Sequence, residues 1–525
     1  MTATPDPEAL GPVRDALAAA GYTVDGALEA LGPTAYAALG RGETVPASVV
    51  LSNPSTVTDP GTRTGTGGGT GDAGAGGTAC GTLLRLFVLG EQVPRRQVER
   101  ALPVDAAREL GLVEVDGAAP DDGVRAALDV RPYGEADVDW WVVSDLGPDR
   151  LPPGQSLPPD HVLGVGGASV TLAQITPRLP VATALDLGTG CGVQALHLTR
   201  HAQHVVGTDT NARALDLAAL TAGLSGVTWE SRRGSLFDPV DGARFDLVVS
   251  NPPFVVSPGP RYEYRDAGLP GDELGRTLLA RAPRHLADDG WCVVLANWLH
   301  VEGQDWRDRV ASWVDGSGCD AWVVHRDLQD PAEYAELWLR DAGDHARPQA
   351  DALYADWLAA LRAMRAEAVG FGWVVLHAAG RDVPWVEVED LAEAPRLPRG
   401  GEVVDQVAAY DDLAALDAGT LLTAAPAWAA GTRVLEETVV LDDGVTGLPP
   451  RVARVDGWRP PERLDPRALA VLRPADGTRT LDALVDAEAA ASGSDRLDLL
   501  AVTLPAARAL LRSGALRPPS RSAGQ

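Results

Sequence analysis

The chain has 525 residues, and its 73 acidic against 45 basic residues give a formal net charge of −28. This excess of negative charge argues against a protein that coats long nucleic acid, because contacts with phosphates need basic surface. Apolar residues make up 45% of the sequence, which is enough to build cores in about three domains. No apolar run reaches the ~18 residues that span a membrane, and the N-terminus lacks the basic start and apolar stretch of a signal peptide.

The cysteines are few and scattered, at Cys80, Cys191, Cys292 and Cys319. They form no CxxC pair and no Cys/His cluster, which are the patterns typical of structural zinc. The sequence therefore predicts a reduced, cytoplasmic protein without a bound metal.

The first 150 residues are predicted to form an N-terminal helical, winged-helix-like domain. Residues 5–45 have helical periodicity, and residues 60–77 are a glycine-rich, low-complexity loop. Short helices are expected at 83–89, 94–101 and 105–110, followed by strands at 112–115, 124–130 and 140–143. A winged-helix unit can grip nucleic acid or protein, and the acidic residues that crowd its predicted strands would repel phosphate.

A Pro-rich linker at 146–160 leads into a segment, residues 151–395, in which strands and helices alternate. Strands are predicted at 183–187, 204–208, 227–230, 245–250 and 291–297, with helices at 193–200, 212–222 and 272–286. This alternation predicts a parallel sheet with helices on both faces. Ligands of such sheets bind at the carboxyl ends of the strands, where the motifs described next are found.

The first of these strands ends in the glycine-rich turn DLGTGCG. Gly188, Gly190 and Gly192 would let the backbone turn tightly and approach a ligand. The spacing is GxGxG and not the GxGxxG of dinucleotide-binding folds, because position 193 is Val. Asp186 before the loop would repel a pyrophosphate and attract an ammonium group. For the loop taken alone, an ordinary glycine-containing turn between strand and helix is an equal alternative.

The next strand ends at Asp209, 23 residues after Asp186. An acidic residue about 20 residues beyond a glycine loop, at the end of the following strand, is placed to bind two ribose hydroxyls. A capping or turn role is the alternative for Asp209 considered alone. Asn211 is the expected N-cap of the helix that follows.

A further strand runs into Asn251, Pro252, Pro253 and Phe254. Two consecutive prolines exclude helix and central strand, so the chain is stiff and turned here. The Asn251 side-chain amide and the Pro252 carbonyl would present acceptors to an incoming NH2 group, and Phe254 would offer a flat apolar face. This arrangement suits chemistry on an amide or aryl NH2 whose hydrogens must be held while the nitrogen meets an electrophile.

Together these residues resemble a class I S-adenosylmethionine-dependent methyltransferase, in the branch with an Asn-Pro-Pro-aromatic motif. The likeness is specific over residues 181–298 and is strongest to the small methyltransferase domain of release-factor glutamine-N5 and nucleic-acid adenine- and guanine-N methyltransferases. The resemblance implies a Rossmann-like α/β sheet. Glutamine methyltransferases commonly have Tyr where this chain has Phe254, which leaves the substrate open.

The resemblance also implies roles for individual residues. The methionine part of S-adenosylmethionine would be held by Asp186, Gly188, Thr189, Gly190 and Gly192. Asp209 would bind its ribose, while Ser235 and Leu236 would flank its adenine. The target nitrogen would be held by Asn251, Pro252, Pro253 and Phe254, and Asn251 would also contact the cofactor.

Two flanking segments are expected to complete this site. Residues 164–171 precede a helix that would close over the cofactor. The substrate entrance would be lined by the aromatic and charged residues that follow the corner: Tyr262, Glu263, Tyr264, Arg265, Asp266, Asp272 and Glu273. A solvated surface loop is the alternative for the second segment.

The remainder of the chain carries less information. Strands at 321–325 and 371–378 would close the sheet as a hairpin, and residues 396–525 would form a small C-terminal α+β domain, a second helical or winged-helix-like unit. Within that domain we expect strands at 401–410 and 434–441 and helices between 464 and 517.

The sequence therefore predicts an N-methyltransferase acting on a planar NH2 group. The acidic charge favours a protein glutamine, as in a translation factor, whereas the winged-helix-like units favour a base in RNA or DNA. A small-molecule acceptor, a non-catalytic binding module on a methyltransferase fold and a nucleotide-dependent oxidoreductase remain as alternatives. The oligomeric state is not readable from the sequence.

Overall fold

The computed structural model of the protein describes residues 5–52, 78–135, 137–150, 157–259, 261–266, 269–441 and 444–517. The glycine-rich loop predicted at 60–77 lies outside these residues. The chain divides into two compact units, which are described separately below. The first comprises Met1–Leu172, Pro180–Arg309 and Gln329–Val369, and the second comprises Ala173–Leu179, Val310–Leu328 and Gly370–Gln525.

The N-terminal part of the first unit is helical and carries two small antiparallel sheets. Its helices are α1 (Pro7–Ala19), α2 (Val24–Leu39), α3 (Val45–Ser52), α4 (Ala79–Leu83), which continues as a π-helix (Leu84–Val88), α5 (Arg95–Val98) and α6 (Val104–Glu109). Its strands are β1 (Val93–Pro94), β2 (Val113–Val115), β3 (Gly123–Ala126), β4 (Asp129–Glu135) and β5 (Val138–Ser144). Strand β3 lies between β1 and β2, and β4 pairs with β5. The stretch predicted as one strand at 124–130 is thus two strands with a break between them.

The next segment supplies a parallel sheet and its helices. The elements are α7 (Gly167–Ile175), β6 (Val181–Leu187), α8 (Val193–Leu198), β7 (Ala202–Asp209), α9 (Ala212–Ser225), β8 (Glu230–Arg233), β9 (Phe245–Ser250), α10 (Glu273–Arg281) and β10 (Leu286–Val301). The strand order is β10-β9-β6-β7-β8, and every one of these neighbouring pairs is parallel. Asp186 is in register with Gly207 on one side and Val249 on the other, so the carboxyl ends of β6, β7 and β9 meet at one edge.

The N-terminal helices share one hydrophobic core with α8 and α9. Val13 and Leu17 of α1 belong to the same buried cluster as Leu196 and Leu224. The approach of α1 to α9 is close because position 223 is glycine: a Cβ on Gly223 would lie 2.6 Å from Leu10 Cδ1. Packing of this kind, more than the short helices' own propensity, holds the N-terminal part against the sheet-bearing part.

One strand begins later than the sequence predicts. Strand β8 was expected at 227–230 and is found at Glu230–Arg233. The backbone N–H of Val227 donates to Ala222 O at 3.0 Å, and Gly226 adopts the left-handed conformation that ends α9. The helix cap therefore uses the first residues that the apolar pattern assigned to the strand.

The remaining elements, in chain order, lead from the parallel sheet to the C-terminus. They are α11 (Trp306–Val314), β11 (Asp320–Gln329), α12 (Pro331–Asp341), α13 (Ala350–Ala363), β12 (Ala366–His377), β13 (Val386–Asp390), α14 (Gly400–Ala414), α15 (Ala418–Thr423), β14 (Ala427–Trp428), β15 (Thr432–Leu435), β16 (Thr438–Leu441), β17 (Gly444–Gly447), β18 (Arg451–Arg454), β19 (Glu462–Arg463), α16 (Pro466–Leu472), α17 (Leu481–Ser492), α18 (Arg496–Arg512) and β20 (Leu516–Arg517). Strand β11 lies between β12 and β13 and runs parallel to β13, so the two strands predicted as a closing pair are neighbours.

The prediction of a strand at 401–410 is wrong, because these residues lie in helix α14. Val403, Val407 and Tyr410 are buried at helical spacing, which a short apolar run does not distinguish from a strand. The helix begins where the Arg399 N–H donates to Glu402 Oε2 at 2.8 Å. In the described parts of the chain, no helix is long and apolar enough to cross a membrane.

Candidate active site

A cavity of about 590 Å³ opens at the carboxyl ends of β6, β7 and β9. This volume is in the range typical of small-molecule and cofactor sites. Of the residues predicted for the site, its wall contains Gly188, Thr189, Gly190, Asp209, Ser235, Leu236, Asn251, Pro252 and Pro253. Three further predicted residues, Asp186, Gly192 and Phe254, lie outside this wall.

Asp209 is fixed at the end of β7 by the glycine loop. Its Oδ2 accepts the N–H of Gly190 at 2.9 Å, and its Oδ1 accepts the N–H of Asn211 at 2.9 Å. Desolvation is the largest influence and raises the pKa of Asp209 above its usual value, while the two backbone N–H groups oppose the rise. Each carboxylate oxygen keeps a free lone pair, so the group can also accept hydrogen bonds from a ligand.

The three glycines of the loop have different surroundings. Gly188 and Gly190 have φ of 77° and 54°, and a Cβ at either would meet no atom within 4 Å, so they leave open space at the cavity wall. Gly192 has φ of 89°, and a Cβ there would lie 2.8 Å from Trp229 Cζ2. Gly192 is therefore required for packing against Trp229, and the first two glycines give a ligand close access to the backbone.

Asp186 lies beneath the loop and is 1% exposed. Its Oδ2 accepts from Thr189 Oγ1 at 2.6 Å and from the Ala195 N–H at 3.0 Å, so it ties the loop to the start of α8. Burial raises the pKa of Asp186 to about 7, against these two hydrogen bonds, which lower it. The position of this carboxyl makes it a support of the glycine loop.

The Asn-Pro-Pro-Phe corner follows directly from β9. Ser250 Oγ donates to Leu187 O at 2.7 Å, which fixes the end of β9 to the end of β6. Beyond it, the Phe254 N–H donates to Pro252 O at 2.8 Å. The Pro252 carbonyl, expected to face an incoming NH2, thus already has one partner and retains its second lone pair. Asn251 and both prolines line the cavity, whereas Phe254 pairs with Asp266 in an isolated bridge.

Ser235 and Leu236 form the wall beyond β8. Leu236 has φ of 46°, a left-handed conformation that is uncommon for a residue with a branched side chain. Because Leu236 also lines the cavity, this strained turn is part of the site's wall.

Further residues complete the wall. Glu263, Tyr264 and Asp266 from the loop after the corner line the cavity, as does Ser169 at the start of α7. The sequence analysis did not single out His161, which directly follows the predicted linker, is 2% exposed and lines the cavity. A lone histidine between prolines and glycines has no periodic pattern around it, so only its position in the fold identifies it.

The cavity is acidic. Its described lining has carboxylates at Asp209, Glu263 and Asp266 and no Lys or Arg side chain. The arginines that follow the corner are paired: Arg261 with Asp344 at 2.7 Å, Arg265 with Asp266 at 3.4 Å and with Trp338 O at 2.8 Å, and Arg276 with Glu273 at 2.7 Å. No group of three potential metal-binding His, Cys, Asp or Glu side chains occurs among the residues that the structure describes.

Two stretches of the chain match known protein families. Residues 165–303 match the family described as "Methyltransferase small domain", and residues 19–127 match a "Domain of unknown function (DUF7059)". The first match spans β6 to β10 and contains the glycine loop, Asp209 and the Asn-Pro-Pro-Phe corner.

Among curated relatives, a release factor glutamine methyltransferase of Xylella fastidiosa is 38% identical over 128 residues, covering 22% of this chain and 46% of the relative. A ribosomal protein uL3 glutamine methyltransferase of Bradyrhizobium diazoefficiens is 34% identical over 182 residues, covering 31% of this chain and 57% of the relative. A ribosomal RNA small subunit methyltransferase C of Escherichia coli is 29% identical over 216 residues, covering 40% of this chain and 57% of the relative. The chain thus spans about half the length of the curated relatives it matches.

Among solved structures, a T. thermophilus 16S rRNA methyltransferase in complex with AdoMet and guanosine aligns with a TM-score of 0.25 and 17% identity, covering 45% of this chain and 62% of the other. The sequence match and the motifs agree on the same residues. Residues 165–303 therefore form a domain of the methyltransferase small family, which uses S-adenosylmethionine, and this confirms the resemblance carried by the glycine loop and the Asn-Pro-Pro-Phe corner.

Proposed function

We propose that this protein transfers a methyl group from S-adenosylmethionine to a planar NH2 group, and that the acceptor is a side-chain amide of a protein. One observation carries the proposal: Asn251, Pro252 and Pro253 line the same cavity as the glycine loop and Asp209. A site that must join a cofactor to an acceptor nitrogen needs both sets of groups facing one space.

The glycine loop and Asp209 fit the cofactor. The open space at Gly188 and Gly190 admits a ligand against the backbone, and Asp209 offers carboxylate lone pairs to ribose hydroxyls. Leu236 and Ser235 would lie against the adenine. When bound, S-adenosylmethionine supplies an electrophilic methyl group.

Asn251 and the Pro252 carbonyl would hold the acceptor. Each presents an oxygen to the hydrogens of an NH2 group, which orients the nitrogen and makes it more electron-rich as it attacks. The stiffness of the two prolines keeps these oxygens in place before the acceptor arrives. The acceptor nitrogen gains a bond to carbon and loses a proton.

The charge of the site favours a protein amide over a base. A nucleic-acid acceptor would bring phosphates to a cavity lined by the carboxylates of Asp209 and Glu263, where they would be repelled. A neutral glutamine side chain carries no such penalty. The net charge of −28 acts in the same direction at longer range.

A second candidate is a base in ribosomal RNA. It is favoured by the order of elements α4, β1, α5, α6, β2 and β3, which is the order of a winged-helix unit, and by the 216-residue match to an rRNA methyltransferase. Against it, Arg95 is paired with Glu99 and Asp105, and Arg96 with Asp121, so these cations are not free for phosphate.

The test uses methyl-labelled S-adenosylmethionine, an extract of cells lacking this protein, and the Asn251→Ala variant as the blank. We expect the wild type to label a product that protease releases and nuclease does not. Asn251→Ala should lose transfer and keep its cofactor affinity within a few fold, because Asn251 holds the acceptor more than the cofactor. Label released by nuclease would favour the second candidate, and full transfer by Asn251→Ala would contradict the role of the corner.

A further inference from the structure

A short segment crosses the cavity between its two sides. The carbonyl of Asp160 accepts from Asn211 Nδ2 at 2.8 Å, next to the cofactor-binding Asp209. The carbonyl of Pro159 accepts the N–H of Glu263 at 2.9 Å, in the loop that follows the Asn-Pro-Pro-Phe corner. The backbone just before His161 is thus attached to both the cofactor side and the acceptor side of the site.

The His161 imidazole is buried against the cavity without a partner for one of its nitrogens. The residue is 2% exposed, it lines the cavity, and its Nε2 forms no hydrogen bond in the described structure. Its Nδ1 lies 3.8 Å from Asp145 Oδ2, and its ring packs edge-on against Tyr264 with centroids 5.7 Å apart. A buried nitrogen left without a hydrogen bond is unfavourable, which indicates that a ligand group satisfies it.

Resting on the methyl transfer proposed above, we propose that His161 is a further catalytic residue, whose Nε2 takes the proton that the acceptor nitrogen loses. As the nitrogen–carbon bond forms, the carbon–sulfur bond breaks and its electron pair stays on sulfur. The methylated nitrogen is then cationic, and its N–H proton passes to the Nε2 lone pair. The imidazolium later releases this proton to water when product leaves.

The surroundings keep the imidazole ready to accept a proton. Burial is the largest influence and lowers the pKa of His161, so the ring is neutral near pH 7. The carboxylates nearby oppose this, and the nearest, Asp145, is itself paired with the Arg213 guanidinium and accepts the N–H of Val162 at 2.9 Å. The ionisable groups that face the ring are Asp145, Asp160, Arg213, Tyr264 and Asp341.

The test compares His161→Gln with the wild type, using methyl-labelled S-adenosylmethionine and the extract fraction that takes up label. Gln keeps a polar side chain of similar length but cannot accept a proton at neutral pH. We expect kcat to fall ~10²-fold or more, the range of general base catalysis. Cofactor affinity, read from tryptophan fluorescence, should stay within about threefold. The wild-type rate should decline as pH falls through the lowered pKa of His161, and this decline should be absent in the variant.

The matched control is His285→Gln. His285 is also buried, at 6% exposure, but its Nδ1 contacts Ala243 O and its ring stacks on Phe237, outside the cavity. Its pH profile should follow the wild type. If His161→Gln kept the wild-type rate and the wild-type decline of rate at low pH, the role of His161 would be overturned and the proposed methyl transfer would stand. A tenfold loss of cofactor affinity with kcat unchanged would have the same consequence. A wild type that transfers no label would instead overturn the proposed function, and the inference with it.

Discussion

Two aspartates at the ends of neighbouring strands occupy environments that assign them different tasks. Asp209 lines the cavity and presents lone pairs, whereas Asp186 is enclosed beneath the loop. We expect Asp209→Ala to weaken S-adenosylmethionine binding by about 1–3 kcal/mol, the cost of removing a charged hydrogen-bond partner. Part of that loss would come from the Gly190 and Asn211 N–H groups, which would lose their acceptor.

Asp209→Asn separates these contributions, because its amide oxygen still accepts one of the two N–H groups. Titration calorimetry with S-adenosylmethionine measures both variants. An intermediate affinity for Asp209→Asn is expected. Wild-type affinity in Asp209→Ala would exclude the ribose-binding role.

Asp186 should make the stability of the ligand-free protein depend on pH. Its pKa is about 7 in the folded state and 3.8 as a free group, so the folded state binds more protons between these values. Stability is therefore lost as pH rises through this window, and the loss is complete above pH 7. Asp186→Asn cannot ionise. We therefore expect its free energy of unfolding, minus that of the wild type, to be larger at pH 8 than at pH 5, which means that the variant gains stability relative to the wild type as pH rises. Urea unfolding of both proteins at pH 5 and pH 8 measures this difference. If the free energy of unfolding changed with pH equally in the two proteins, the raised pKa of the buried Asp186 would be contradicted.

At the scale of elements, the turn between β6 and α8 is held by the contact between Gly192 and Trp229. In Gly192→Ala a Cβ would lie 2.8 Å from Trp229 Cζ2, at a φ of 89°. The left-handed conformation costs about 1–2 kcal/mol and overpacking about 1–3 kcal/mol, so a destabilisation of about 2–5 kcal/mol is expected.

Gly242→Ala is the matched control for backbone strain. Gly242 has φ of 75° with no atom within 4 Å of a Cβ, so this substitution adds strain without a clash. Chemical unfolding of both variants isolates the packing contribution. If Gly192→Ala were no more destabilising than Gly242→Ala, the Trp229 contact would not be what requires glycine.

The elements around the site could be predicted because their signals are local. Glycines at close spacing, an acid at a strand end and two consecutive prolines each constrain the backbone within a few residues. The helix at Gly400–Ala414 was read as a strand because its buried face only becomes visible once the partners of Val403 and Tyr410 are known. His161 was missed for a related reason: its ring lies against Asp145 and Tyr264, and the second of these is distant in sequence.

For the whole molecule, the distribution of charge bears on which acceptor it can take. Several cationic side chains of the N-terminal region are paired with acids, as in Arg95 with Glu99 and Arg125 with Asp116. Non-specific binding to RNA depends on releasing counterions through unpaired cations, and proteins that have them bind with a Kd of about 10⁻⁴–10⁻⁶ M at physiological salt. A chain with 73 acidic and 45 basic residues has a formal net charge of −28, which repels phosphate at long range.

We therefore expect binding to unstructured RNA weaker than ~10⁻⁴ M at ~0.15 M salt. Fluorescence anisotropy of a labelled RNA, with a basic RNA-binding protein in the same buffer as the positive control, measures it. Lowering the salt should change little, because few phosphates would be neutralised. Micromolar binding with a steep salt dependence would reveal a cationic surface that outweighs the net charge, and the acceptor would then be sought in ribosomal RNA. If no such RNA binding is found, a neutral amide is the acceptor that agrees with the negative charge of the cavity.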